Sequence, residues 1–323
     1  MAEIARPPLR AFFGNAEQRR WAIRYWLRDP VVGVINLGIY FTMRLLPIDV
    51  GSAIGARLGS FARFRYPQSH ARARTLWIRL RPDEIDKTDE AVARLWRNVG
   101  RTMVEFSVLD RLWKAGRIEV AGVELIRAAH ATGRPIIGLG VHLGNWETIG
   151  VAMLSLGFRG GSIYQPPENR FDHLIANLAR SKLPGKPILA RQNAAAEAFI
   201  LLTRKKQQIV MYGDELARGR VWGPAFGRPL RINGNIGNAV RLARLSNALI
   251  LPLHCVRLGE RAHFRVTVSP PYDLIKTEDR DADVLTNVAA IDALIDPIIR
   301  ANLDQWFFGL DFEFEDGPAA KAT

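Results

Sequence analysis

A short apolar run that ends in a histidine most constrains the fold of this chain. Residues 136–141 read Ile-Ile-Gly-Leu-Gly-Val and follow a Gly-Arg-Pro turn. An uninterrupted apolar run of this length, bounded by turn residues, predicts a strand that is buried on both faces. A helix is expected over residues 144–156, with Gly144 and Asn145 at its start. The chain is therefore predicted to hold a covered sheet, with His142 at the carboxyl end of one strand, where open α/β sheets usually place chemistry.

Helix and strand patterns alternate along the rest of the chain. We predict helices at 121–132, 144–156, 171–183, 193–206 and 234–246, and strands at 135–141, 161–165, 208–212, 248–256 and 263–268. This alternation predicts an α/β fold, with a mixed, largely parallel sheet covered by helices. We assign residues 61–316 to this main domain, residues 1–60 to an N-terminal helical region that anchors the protein to a membrane, and residues 317–323 to a disordered tail.

An acidic residue follows His142 at a distance that suits catalysis. Glu147 lies five residues later, where its carboxylate could orient one imidazole nitrogen and leave the other free to accept a proton. None of the other five histidines has an Asp or Glu at that distance. The spacing alone is weak evidence, because it should arise by chance about half the time in such a chain. A structural histidine that caps a core strand remains the alternative.

Two blocks around this histidine resemble a known family. His142-Leu-Gly-Asn-Trp-Glu147 is similar to the H-x-x-x-x-D/E signature of the lysophospholipid acyltransferase superfamily, and in particular of its bacterial lipid A branch. Tyr164-Gln-Pro-Pro-Glu-Asn169 resembles the Y-R-P-x-x-N block of that branch, and Arg180 resembles the arginine that closes the block.

Later blocks extend the resemblance over roughly residues 35–310. They are Met211-Tyr-Gly-Asp214-Glu215, Pro224-Ala-Phe-Gly-Arg-Pro229, Gly237-Asn-Ala-Val-Arg-Leu-Ala243 and the Gln305-Trp306 pair. Two departures bear on the substrate. Gln165 stands where the branch usually has arginine, and an acidic stretch follows the Gln-Trp pair where the branch usually has a basic ending.

The resemblance implies a glycerol-3-phosphate acyltransferase-like fold and a reaction. An acyl chain would pass from an acyl thioester, with acyl carrier protein favoured over coenzyme A, to a hydroxyl of a lipid A precursor or related glycolipid. His142 would be the general base and Glu147 its orienting carboxylate, while backbone N–H groups near Gly144 would stabilise the oxyanion. No metal or bound cofactor is implied. The residues implied in substrate binding are Asn145, Tyr164, Asn169, Arg170, Arg180 and Asp214.

Positive charge and apolar residues near the N-terminus predict that this region contacts a membrane surface. The formal net charge is +13, and residues 57–81 hold seven arginines and no acid. Residues 31–43 form an uncharged apolar run, which is short for a span of about 20 residues but suits a helix that lies in one leaflet. We therefore expect contact with anionic lipids on the cytoplasmic face of the bacterial inner membrane, and docking of an acidic carrier protein. A buried amphipathic helix is the alternative for residues 31–43.

Other functions remain open at this level. A lysophospholipid acceptor is the chief rival within acyl transfer, and a non-catalytic, membrane-bound lipid-binding protein would keep the same anchor. A nucleic-acid binder would explain the charge, but no reading motif accompanies it, so no nucleic-acid partner is expected. The Gly138-x-Gly140-x-x-x-Gly144 pattern is only a loose relative of a dinucleotide fingerprint, because its last spacing is too long.

Overall fold

The computed structural model describes residues 6–167, 169–181, 188–189 and 193–314. The helices are α1 Ala16–Ile23, α2 Asp29–Leu45, α3 Ile48–Arg65, α4 Pro67–Leu80, α5 Thr88–Glu105, α6 Leu109–Lys114, α7 Val123–Ala131, α8 Glu147–Ser155, α9 Arg170–Arg180, α10 Ala194–Thr203, α11 Asn235–Ser246 and α12 Arg280–Ala301. The strands are β1 Ile118–Ala121, β2 Ile136–Gly140, β3 Gly160–Tyr164, β4 Ile188–Leu189, β5 Gln208–Tyr212, β6 Glu215–Ala217, β7 Arg220–Trp222, β8 Leu249–Arg257 and β9 Phe264–Val268.

The described strands form a mixed, largely parallel sheet, which confirms the predicted α/β class. Seven of them pair in the order β1-β9-β8-β2-β5-β3-β4. The β8–β9 pair is antiparallel, and the other neighbours in this sheet are parallel. Strands β6 and β7 form a separate antiparallel hairpin. Parallel neighbours need crossover connections, and the helices supply them while covering both faces of the sheet.

The central strand β2 is buried on both faces, as its composition predicts. Ile137 and Leu139 belong to one core cluster, shared with α10, α11 and α12, whereas Ile136 belongs to a second cluster, shared with α6, α7 and α8. This alternation follows from the two-residue period of a strand. Burial of each isoleucine or leucine contributes about 1.5–3 kcal/mol to the free energy of folding, so β2 holds the residues at its end firmly in place.

Most predicted elements of the sheet region are confirmed to within three residues, but local details differ. The helix predicted over 144–156 begins at Glu147, because residues 143–146 form a turn. Strands β1 and β4 and the β6–β7 hairpin were not predicted, since each strand is only two to four residues long, and helix α12 was not predicted either. The domain boundary predicted at residue 60 falls inside α3, which packs along α5 without a break. The predicted tail, 317–323, lies outside the described residues.

The N-terminal region is helical, and α2 turns apolar side chains to solvent. Its exposed residues include Val31, Val34, Ile35, Phe41 and Leu45, the last of them 86% exposed. Its inner side rests on α9, where Gly33 leaves room for the ring of Phe171. Among the described residues, no helix combines the length and the apolar character needed to cross a membrane.

Candidate active site

The sheet brings His142 and Asp214 together although they are far apart in sequence. Strands β2 and β5 are parallel neighbours, and Gly140 is paired in register with Tyr212. His142 and Asp214 each follow the paired residue by two positions, at the carboxyl edge of the sheet. The sequence placed both residues on this edge, and the register sets them side by side.

Asp214 is the carboxylate that contacts the imidazole of His142. Its Oδ1 lies 2.9 Å from Nδ1 of His142, and its Oδ2 accepts the backbone N–H of the same histidine at 2.9 Å. Oδ2 also accepts the indole N–H of Trp306 at 2.9 Å. Asp214 is fully buried, so its charge is stabilised by these donors rather than by water.

This contact selects the tautomer of His142. Because a carboxylate can only accept, Nδ1 carries the proton, and Nε2 is the nitrogen that can take a proton from a hydroxyl. Aromatic rings limit the movement of the imidazole. The ring of Tyr212 is centred 4.4 Å from it, that of Phe308 4.8 Å and that of Trp146 5.2 Å. The arrangement of acid, histidine and free nitrogen is that of a general base with its orienter.

Glu147 does not have the role that the sequence suggested, because it faces Arg180 instead of His142. Arg180 donates from Nε to Glu147 Oε2 at 3.0 Å and from Nη2 to Oε1. Helix α8 begins at Glu147, and its first turn directs the side chain toward the C-terminal end of α9. Burial alone would lower the pKa of Arg180, but the Glu147 carboxylate more than offsets this effect and raises it. Arg180 therefore stays charged.

The Glu147–Arg180 pair lies against the aromatic wall of the site. The guanidinium of Arg180 is 4.3 Å from the ring centre of Tyr164, and both charges act on the phenol of Tyr212. Burial raises the pKa of Tyr164 and raises that of Tyr212 well above its usual range. Both phenols are consequently neutral near pH 7 and pack against the site, and Tyr212 also forms a hydrogen bond. Tyr212 donates to the carbonyl of Trp146 at 3.0 Å.

The turn between His142 and α8 is held from behind by buried hydrogen bonds. Gly144 adopts φ +59°, and a side chain there would meet the carbonyl of Cys255, so glycine is required. Asn145 points into the interior and donates to Glu105 Oε2 at 3.1 Å. The backbone N–H of Gly144 donates to the carbonyl of Gln305 at 3.0 Å. The expectations that Asn145 binds substrate and that the Gly144 amide faces an oxyanion do not match this geometry.

Asn169 and Arg170 lie at the junction of α9 with the N-terminal helices, although the resemblance implied a substrate contact. Asn169 caps α9 by accepting the backbone N–H of Phe171. Arg170 donates to the carbonyl of Tyr25 at 2.9 Å and stacks over the same tyrosine ring at 4.1 Å. One residue pair across this junction can be exchanged cleanly, since Asn36 donates to Asp172 at 2.8 Å.

We expect the variant Asn36→Asp to weaken this junction and the exchange Asn36→Asp with Asp172→Asn to restore it. The single change sets two carboxylates against each other, whereas the double change regenerates an amide–carboxylate bond in the opposite direction. Thermal unfolding in detergent should show a Tm lower by roughly 2–4 °C for the single variant and largely recovered for the double one. A double variant as unstable as the single one would show that the pair does not couple α2 to α9.

A partly buried carboxyl, that of Asp292 on α12, has no described contact with His142. It helps to line a cavity of about 20 Å³, which is too small for an acyl chain. Asp292 accepts the backbone N–H of Ala225 at 2.9 Å, and burial raises its pKa to about 6. The folded protein therefore binds this proton more tightly than the unfolded chain does, so stability falls as the pH rises above the ordinary value of 3.8, and the loss is complete above about pH 6.

The variant Asp292→Asn should be more stable than the wild type at neutral pH but not in acid. Its amide oxygen can still accept from Ala225, and it removes a buried charge worth about 1–3 kcal/mol. Urea unfolding at pH 7.5 should show the gain, and at pH 4 the two proteins should have similar stability. The exposed Glu278→Gln change serves as the control. An equal gain at both pH values would mean that ionisation of Asp292 is not its cause.

Sequence reasoning gave no role to three residues that support this site. The sequence marks Trp306 only as part of the Gln-Trp pair, and it does not mark Glu105 or Arg257. Glu105 and Arg257 form an ion pair in which neither side chain is more than 1% exposed. No local spacing marks these contacts, because they join segments 92 and 152 residues apart. The one available signal was a charge placed in an otherwise apolar strand, as Arg257 is at the end of β8.

A buried acid beside a histidine, at the carboxyl edge of a covered α/β sheet, has a geometry that suits general-base chemistry on a hydroxyl group. Comparison with known proteins gives the reaction class. The family model for bacterial lipid A biosynthesis acyltransferases matches residues 18–310, so this chain belongs to that family and is an acyltransferase.

Individual relatives are distant but cover most of the chain. The lipid A biosynthesis palmitoleoyltransferase of Escherichia coli K12 is 24% identical over 272 residues, which are 82% of this chain and 85% of that protein. A lipid A biosynthesis acyltransferase of Haemophilus influenzae is 24% identical over 260 residues, 77% of this chain and 79% of its own length. Among solved structures, the 1-acyl-sn-glycerophosphate acyltransferase of Thermotoga maritima matches with a TM-score of 0.37 and 14% identity, covering 84% of this chain and 97% of that one.

Proposed function

We propose that this acyltransferase moves a fatty acyl chain from an acyl thioester, with acyl carrier protein as the favoured donor, to a hydroxyl of a lipid A precursor or related glycolipid. The observation that carries the proposal is the contact of His142 Nδ1 with the buried Asp214 carboxylate. Family membership and the names of the relatives support the acceptor class. A lysophospholipid acceptor and a coenzyme A donor are the alternatives that the experiment below distinguishes.

The reaction is a direct transfer without an acyl-enzyme. His142 Nε2 takes the acceptor hydroxyl proton as the oxygen attacks the thioester carbonyl, and a tetrahedral intermediate forms. The carbon–sulfur bond then breaks, and the imidazolium returns the proton to the departing thiolate. Asp214 stabilises the imidazolium between these two steps, at a contact distance that exists before substrate arrives.

Arg180 is the residue we assign to an acceptor phosphate. Its Nε and Nη2 are directed at Glu147, so Nη1 is the nitrogen available to approach a phosphate. Glu147 holds the planar guanidinium in place, so less conformational entropy is lost when the substrate binds. The ring of Tyr164 stacks against one face of the guanidinium. In this proposal Glu147 acts on acceptor binding, and Asp214 acts on proton transfer.

Acyl transfer by purified wild-type, His142→Ala and Glu147→Ala proteins, in mixed micelles, tests the proposal. The donors are acylated carrier protein and acyl coenzyme A, and the acceptors are a tetra-acylated lipid A precursor and a set of lysophospholipids. We expect product from the lipid A precursor, abolished by His142→Ala. Glu147→Ala should mainly raise the KM for the acceptor. With the carrier-protein donor, the rate should fall as salt is added, because the +13 charge attracts an acidic partner.

The matched control is His130→Asn, since His130 is an exposed histidine on α7 that packs against Phe158 away from the sheet edge. It should retain wild-type activity. Product from lysophospholipid alone would name the other acceptor class. A folded wild type that forms no product with any pair of substrates would favour the alternative function, that of a non-catalytic lipid-binding protein.

Membrane association is the second part of the proposal, and the exposed face of α2 supports it. Val34 is 65% exposed on this face, and Arg19, Arg20, Arg24 and Arg28 precede it in the chain. Apolar side chains beside cations suit the headgroup layer of an anionic bilayer on the cytoplasmic side of the inner membrane.

The variant Val34→Glu should bind anionic vesicles more weakly than the wild type does. A charge at this position opposes burial of the α2 face in lipid, and like-charge repulsion from the headgroups adds to the effect. Vesicle flotation with phosphatidylglycerol should show at least a roughly threefold weaker partition. Leu245→Glu is the control, because Leu245 is 73% exposed on α11 and far from α2 in the fold. Equal loss in both variants would mean that α2 is not the contact surface.

A further inference from the structure

A segment near the C-terminus pairs with the catalytic turn on both sides of Leu143. After α12, Trp306 forms an antiparallel bridge with Leu143. The carbonyl of Gln305 accepts the N–H of Gly144 at 3.0 Å, and the N–H of Phe307 donates to the carbonyl of His142 at 2.9 Å. The backbone of residues 305–307 is therefore hydrogen-bonded to the catalytic turn, and these bonds fix the position of Trp306.

The side chain of Trp306 reaches the catalytic carboxylate. The residue is fully buried, and its indole N–H donates to Asp214 Oδ2. The backbone N–H of His142 is shared between Oδ2, at 2.9 Å, and Oδ1, at 3.1 Å, and Oδ1 also faces Nδ1 of the imidazole. A rotation of the carboxylate that turned Oδ1 away from the ring would break the indole bond. The three donors thus fix the orientation of the carboxylate plane relative to the imidazole.

Packing alone does not account for an indole at this position. Trp306 contacts Phe226 and Phe312, with ring centres 5.6 and 5.7 Å away, and a phenylalanine could make similar contacts. Trp96, on α5, offers a comparison within the same protein. It is also buried, at 4% exposure, yet its indole nitrogen has no hydrogen-bond partner in the described part of the chain. The indole N–H of Trp306, by contrast, is directed at the one carboxylate that contacts His142.

We infer that Trp306 is a positioning residue for the general base, acting through Asp214, an inference that rests on the proposed function of His142. The indole hydrogen bond holds the carboxylate in the rotation that keeps the proton on Nδ1. It also withdraws charge from Oδ1, which moderates the stabilisation of the imidazolium. Its loss therefore affects the chemical step and the proton affinity of His142, and leaves the acceptor site at Arg180 intact.

The test replaces Trp306 with phenylalanine and, separately, with benzothienylalanine, which keeps the bicyclic shape but has sulfur in place of the N–H. We expect kcat to fall about tenfold in both, with KM within about twofold of wild type. The acid limb of the kcat/KM profile should move to higher pH, because the carboxylate charge is less delocalised. Trp96→Phe is the control for loss of a buried indole, and it should leave kcat and the profile unchanged.

A second readout does not depend on the acceptor. NMR titration of the His142 ring in the wild type and in the benzothienyl variant should show the midpoint at higher pH in the variant. A midpoint and a kcat that match the wild type would overturn the inference, as would an equal loss of kcat in the Trp96 variant. Failure of the proposed function would give a different result. In that case His142→Ala, assayed alongside, would retain activity, while the Trp306 variants would still shift the titration of His142.

Discussion

Replacing Asp214 with asparagine is expected to lower kcat by about 10³- to 10⁴-fold, although the two side chains have nearly the same shape. The reason lies in the donors around the carboxylate. The indole N–H of Trp306 points at Oδ2 alone, whereas the backbone N–H of His142 is shared between Oδ2 and Oδ1, so the amide oxygen of an asparagine must take the Oδ2 place to keep the indole bond. Its NH₂ group then faces Nδ1, which must accept. The proton moves to Nε2, and the nitrogen that should act as base is blocked.

Steady-state kinetics with acylated carrier protein would measure this effect, with circular dichroism and Tm to confirm folding. Asp292→Asn is the matched control, because it makes the same carboxylate-to-amide change at a partly buried position that has no described contact with His142. Glu147→Gln distinguishes the two carboxylates. It should lose far less in kcat, since Glu147 faces Arg180. Near-normal activity in Asp214→Asn, with a large kcat loss in Glu147→Gln, would restore the pairing that the sequence spacing suggested.

Replacing Arg257 with methionine is expected to destabilise the protein by about 3–5 kcal/mol, which is a large share of a typical folding free energy. Arg257 and Glu105 form two hydrogen bonds, at 2.8 and 2.7 Å, with no solvent access to the carboxylate. Among the described residues, removal of the cation leaves that buried carboxylate with direct hydrogen bonds only from the neutral donors Ser52 and Asn145. Such a charge has no water to replace its partner.

The double variant Glu105→Gln with Arg257→Met should recover part of this stability. A neutral amide can keep the bond to Asn145 and needs no cation as its partner. Urea unfolding of the wild type, the two single variants and the double variant gives the coupling free energy between the two residues. The exposed pair of Arg265 and Glu119 is the control, since a salt bridge about half exposed on both sides contributes only about 0–1 kcal/mol. A double variant no more stable than Arg257→Met would show that an unpaired charge is not the source of the loss.

Loss of this ion pair should also disturb the active site. Glu105 holds Asn145, and Thr102, on the same helix, donates to the carbonyl of Gly144 at 3.1 Å. These two contacts fix the turn that connects His142 to Glu147. We therefore expect any variant of the pair that still folds to show reduced kcat, because the general base is then less well positioned.

The elements of the sheet region could be predicted from sequence because their signals are local. The apolar run before His142 specifies a doubly buried strand whatever surrounds it, and strand β5 was predicted with its observed bounds, Gln208–Tyr212. The carboxyl edge as the location of the site follows from the same local patterns, since consecutive βα units place strand ends together. Strand β1 and the β6–β7 hairpin were missed because three or four residues carry too little periodicity.

The sequence by itself determined the α/β class, the position of His142 and the presence of two acidic residues, Glu147 and Asp214, at the same edge. Only the tertiary structure decided which of them meets the imidazole. Glu147 is five residues away, but α8 starts at it and turns it toward Arg180. Asp214 is 72 residues away, but the parallel register of β2 and β5 places it beside His142. Spacing along a chain fixes what two side chains can reach, whereas strand register and helix direction fix where they point.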